Sequence, residues 1–82
     1  MKYSILPNNV LAAVLIVDQD LKLEIIDNML TYGGSFVKCL AECVRTADDT
    51  NLGKIVMTWP TYIKEYLPEN WVGKGGVKHE HK

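Results

Sequence analysis

Eighty-two residues, 48% of them hydrophobic, with a formal charge of −1, make one folded domain. A chain of this mass buries roughly 60–65% of its unfolded surface, a thin margin that a second copy would widen, so a homo-oligomer is expected. The charge pattern excludes sequence-specific DNA binding. Lys74, Lys78 and Lys82 fall in the last ten residues, while residues 1–72 hold six basic groups against nine acidic ones, with no cluster to displace counterions from phosphate.

Residues 1–7 read as an extended lead-in ending at Pro7, after which Asn8 or Asn9 is a good helix N-cap. Leu11, Val14, Leu15, Leu21, Ile25 and Met29 recur at three-and-four spacing, and Ile26 and Leu30 widen the stripe. The stretch reads as one long helix or as two helices broken near Asp18–Asp20. A β-hairpin of residues 13–17 and 22–26 is the rival, and the adjacent Ile25 and Ile26 count against its strict alternation. The apolar run Val10–Val17 is too short to span a bilayer. It also lacks the flanks and small-x-small site of a signal peptide.

Thr31-Tyr32-Gly33-Gly34 is expected to stop this segment, with glycine supplying a left-handed residue. Ser35 is then expected to cap a helix that buries Phe36, Val37, Leu40, Ala41 and Val44, with Cys39 and Cys43 beside them. Lys38 and Glu42 lie on its outer side, and Arg45 suits its negative end. Residues 47–50 form a loop and the next cap. Leu52, Ile55, Val56 and Trp59 then mark a helix that Pro60 ends. Proline also suits a helix start, so residues 60–66 read as a short helix returning Tyr62, Ile63, Tyr66 and Leu67 to the core, with Pro68 as its stop and Trp71 as a last anchor. The glycine- and lysine-rich residues 73–82 read as a disordered tail. The expectation is an all-α domain over residues 1–72, a small bundle of three to four short helices.

The polar equipment of a self-sufficient enzyme is missing. The two histidines, His79 and His81, both fall in the tail. Together with Cys39 and Cys43 they lack the tight ligand pairs of a structural zinc site, so neither a metal nor another cofactor is expected. A disulfide between cysteines four apart would distort a helical turn, and free thiols fit a reducing cytosol. Asp18, Asp20, Glu24 and Asp27 read first as a solvated acidic face.

Two segments stand out as candidate binding sites. Tyr32, Gly33, Gly34, Ser35 and Lys38 place two glycines, a hydroxyl and a cation at a helix start, where bare N–H groups attract anions. That composition suits a small phosphate-bearing ligand with Tyr32 stacked on its base, although the spacing is not that of a P-loop. A plain Gly-Gly turn is the bland alternative. The second segment holds Trp59 and Tyr62 around Pro60, with Tyr66 one turn on. Aromatics at a proline corner are usually core; exposed together they would form an interface hot spot.

Residues 32–66 also resemble a class of small phage- and prophage-encoded proteins, mostly without assigned function. The resemblance is carried by Tyr32 to Val37 (YGGSFV), by Ala47-Asp48 and by Trp59-Pro60-x-Tyr62. It implies an accessory protein in the host-cell cytoplasm that counters a host defence component by stoichiometric, non-catalytic protein binding. Two alternatives stay open: a sponge for a phosphate-bearing nucleotide signal at Gly33–Lys38, and a structural or replication-associated phage module. The resemblance carries over no catalytic residue.

Overall fold

Asp18 settles how the first half of the chain is divided. Its carboxylate accepts the backbone N–H of Leu21 at 3.0 Å, which makes it the N-cap of a second helix rather than an interior residue of one long helix. In the computed structural model, which describes residues 3–72, the order is α1 Asn8–Val17, α2 Gln19–Tyr32, α3 Ser35–Thr46, α4 Asp49–Thr58, α5 Pro60–Glu65 and α6 Pro68–Val72. The described residues contain no strand, so the hairpin alternative falls. The all-α expectation holds, with more and shorter helices than expected. The expectations for the Trp71 side chain and for residues 73–82, including His79 and His81, lie outside what is described.

Local chemistry explains most of the boundaries. Asp48 starts α4 by accepting the N–H of Asn51 at 2.8 Å. Trp59 leaves helical geometry at φ −123°, ψ 50°, as a residue before proline does, and Pro60 then opens α5. Pro68, expected only as a stop, also opens α6. Asn70 donates its side-chain amide to Lys64 O at 2.7 Å, satisfying a carbonyl at the end of α5.

The turn between α2 and α3 departs from expectation. Gly33 has φ −83° and Gly34 φ −81°, so neither is left-handed. Gly33 is there for space. A Cβ on it would collide with the Val37 side chain and lie 2.6 Å from the Met29 carbonyl oxygen. Gly34 has open space around it and is itself the cap residue of α3. Ser35 is therefore the first helical residue and makes no capping hydrogen bond.

Helices α1 and α2 form the centre, with α4 packed along α1 and α3 along α2. Leu11, Leu15, Ile25, Met29, Val44, Leu52, Val56, Ile63 and Leu67 are fully buried between them. Because α3 and α4 pack on different partners, direct contact between them is slight and an open seam runs along the pair. Among the described residues one polar side chain is buried with the core: Asn28 donates to Tyr66 O at 3.0 Å, tying α2 to the end of α5.

Within the lead-in, residues 3–6 are folded rather than extended. Leu6 N–H bonds to Tyr3 O, and the backbone N–H groups of Tyr3 and Ser4 donate to the two carboxylate oxygens of Glu69, each at 3.0 Å. Burial alone would raise the Glu69 pKa. Hydrogen bonds from the lead-in, including those from the Ser4 side chain and both N–H groups, more than offset it and hold the group at about 2. Lys64 Nζ adds a bond to Leu6 O at 3.0 Å. Residues 3–6 are thus clamped to α5 and α6.

Candidate functional site

Three aromatic rings converge on the surface at the end of the α3–α4 seam. Phe36 comes from the first turn of α3, Trp59 from the α4–α5 junction and Tyr62 from the first turn of α5. Phe36 and Trp59 have ring centroids 5.3 Å apart at 64°, Phe36 and Tyr62 5.3 Å at 59°, and Trp59 and Tyr62 6.1 Å at 57°. Each pair is tilted or edge-on, the arrangement favoured by the ring quadrupoles. The cluster is not sealed. Phe36 is 48% exposed, Trp59 is 38% exposed and Tyr62 is half-buried.

The backbone explains why these rings stay outside. On α3 the core is closed by Val37, Leu40, Ala41 and Val44. Phe36 lies about 100° around the helix from Val37, on the flank facing the seam, and the expectation that it is buried is wrong for that reason. Trp59 is turned by the break at Pro60. Tyr66, which the sequence offered as a third interface aromatic, is only 7% exposed and belongs to the core. Burial, with the nearby Glu65 and Tyr62, raises its phenol pKa.

Beyond Trp59 the patch continues as a groove of about 410 Å³ along the seam. Leu40, Cys43 and Ala47 line the α3 side; Lys54, Ile55 and Trp59 line the α4 side. Among the described residues Lys54 is the only charged one in the lining. Cys39 and Cys43 are both exposed free thiols, and Cys43 alone faces the groove.

The Gly33–Lys38 corner has a different character. Tyr32 packs against the core with its hydroxyl oxygen buried, so its ring is not offered for stacking. Gly33 is consumed by the helix crossing. Ser35 and Lys38 are exposed but line neither the seam groove nor a second, acidic cleft bordered by Asp18, Asp20 and Glu24. Among the described residues no three His, Cys, Asp or Glu side chains converge as metal ligands, and no helix is long and apolar enough to cross a membrane.

The two segments singled out in the sequence thus meet in space, through a residue assigned to neither site. Phe36 follows the Gly-Gly turn directly and stacks on Trp59 and Tyr62. Comparison with known proteins finds no matching family model, no matching curated protein and no matching solved structure.

Proposed function

We propose that this protein is a non-catalytic binding module that docks another protein on the Phe36–Trp59–Tyr62 patch. The observation that carries the reading is the mutual stacking of three large aromatics that remain partly exposed. Tyr and Trp are the residues most enriched at interface hot spots. Stacking fixes their rotamers in advance, so little ordering entropy is lost on docking. An exposed apolar patch rimmed by polar residues is a common mark of a protein-binding surface. The resemblance to small phage proteins supplies the biological frame. The partner is then a component of host defence, held stoichiometrically in the cytoplasm of the infected cell.

The rival reading, sequestration of a phosphate-bearing nucleotide signal, has one observation in its favour: α3 begins without a side-chain cap beside exposed Ser35 and Lys38. Co-purification from a bacterial host lysate, with protein and small-molecule mass spectrometry on one eluate, separates the two. The docking reading expects a stoichiometric protein that a Phe36→Ser/Trp59→Ser variant fails to retain. A nucleotide in the eluate, retained equally by that variant, would refute it.

A further inference from the structure

The α2 helix carries two leucines that the fold leaves uncovered. Leu23 is 54% exposed and Leu30 37%, one on each side of Asp27 at positions i, i+4 and i+7. Asp20 and Glu24 lie alongside, both exposed, so this face is an acidic amphipathic surface. The seam groove has the opposite charge. Leu40, Ala47, Ile55 and Trp59 line it together with Cys43, Thr46 and Asn51, and among the described residues its one charge is the Lys54 ammonium, for which no ion pair exists among them.

We infer that the α3–α4 groove receives the outer face of α2 from a second copy of this chain. Leu23 and Leu30 pack against Leu40 and Ile55, the Asp27 carboxylate between them lies toward Thr46 and Asn51, and the Glu24 carboxylate meets Lys54. The groove lies where two helices pack on different neighbours without closing on each other, so a third helix laid between them completes the layer. Charge complementarity selects the occupant. Each molecule offers one acidic helix face with two exposed leucines and one groove whose charge, among the described residues, is a single cation, and like-charged or charge-free faces gain nothing from Lys54. The contact joins two different faces. It closes as a pair when both copies dock reciprocally and extends to longer assemblies when they do not. The groove adjoins the aromatic patch and shares Trp59 with it, whereas Phe36 and Tyr62 do not line it.

The test is a charge swap followed by sedimentation velocity over a range from low to high micromolar protein. The wild type is expected to gain mass with concentration. Lys54→Glu and Glu24→Lys, each on an exposed residue, should weaken association by about tenfold apiece, because each replaces an attraction with a repulsion. The two changes in one chain should restore it to within about threefold of wild type. A second readout uses Cys39→Ser, which leaves Cys43 as the single thiol. Its alkylation by N-ethylmaleimide should slow as protein concentration rises. A wild type that stays monomeric, charge variants that associate like wild type, or a Cys43 rate independent of concentration would each overturn the inference and leave the aromatic reading standing.

Discussion

The α2–α3 corner and the α4–α5 corner both turn one helix into the next within a few residues, yet they solve the turn in opposite ways. At Gly33 the chain crosses so close to Met29 and Val37 that no side chain fits, and the corner is sealed. At Trp59-Pro60 the break comes from proline, space is left over, and large rings fill only part of it. A corner made by removing side chains has little left to offer a partner. A corner made by breaking the helix can display them. The same side chain, Phe36, stands directly after the first corner and leans on the second, so the sealed turn holds the displayed one in place.

The largest effect that would break this comparison is expected at Gly33. Gly33→Ala forces a methyl group into Val37 and the Met29 carbonyl and should cost about 1–3 kcal/mol, read as a fall in urea midpoint with unchanged slope. A neutral outcome would mean the crossing is looser than described.

Next comes the frame on which both corners stand. Glu69→Gln weakens the clamp on the lead-in and should cost about 1 kcal/mol at neutral pH, less than a fully buried charged hydrogen bond because solvent reaches the site. Since the folded Glu69 pKa lies at about 2, below its ordinary 4.5, the stabilisation is complete above about pH 4.5. It is lost as pH falls toward 2. Melting temperatures of wild type and variant should therefore converge across that window, and parallel curves would remove Glu69 from the account.

At the displayed corner, Phe36→Ser should cost only about 0.5–1.5 kcal/mol, the scale of its aromatic contacts. Thermal melts of Phe36→Ser and Trp59→Ser check this, and a loss as large as that of Gly33→Ala would reclassify the patch as core. The smallest effects belong to Gly34→Ala and Ser35→Ala. Gly34 has an ordinary φ and open space, and Ser35 caps nothing, so each should fall within about 0.5 kcal/mol of wild type. A Ser35→Ala loss of about 1 kcal/mol, the usual scale of a lost N-cap, would reinstate it as one.

Much of this fold was legible in the sequence because it depends on short-range rules. The three-and-four spacing marked the helices, and the break at Pro60 and the near-start position of Asp48 follow from backbone chemistry. What was not legible depends on residues far apart in the chain. Nothing in the local pattern marks Asn28 as buried, and its partner is the carbonyl of Tyr66, 38 residues on. The Glu69 clamp joins residues separated by 66 positions. Phe36 and Val37 both look like core on a helical wheel. Only the open α3–α4 seam decides which one is buried. The Gly-Gly pair read as an anion corner because nothing in its local sequence reveals that Gly33 lies against Val37.

Docking of another protein on the displayed corner is read out by calorimetric titration of the lysate protein that the chain retains. Wild type and Lys38→Glu should bind that protein with the same affinity and in a fixed ratio. Phe36→Ser/Trp59→Ser, folded by circular dichroism, should lose at least about a hundredfold, on the scale of truncating two hot-spot residues. Undiminished binding by the aromatic variant, or loss confined to Lys38→Glu, would contradict the account.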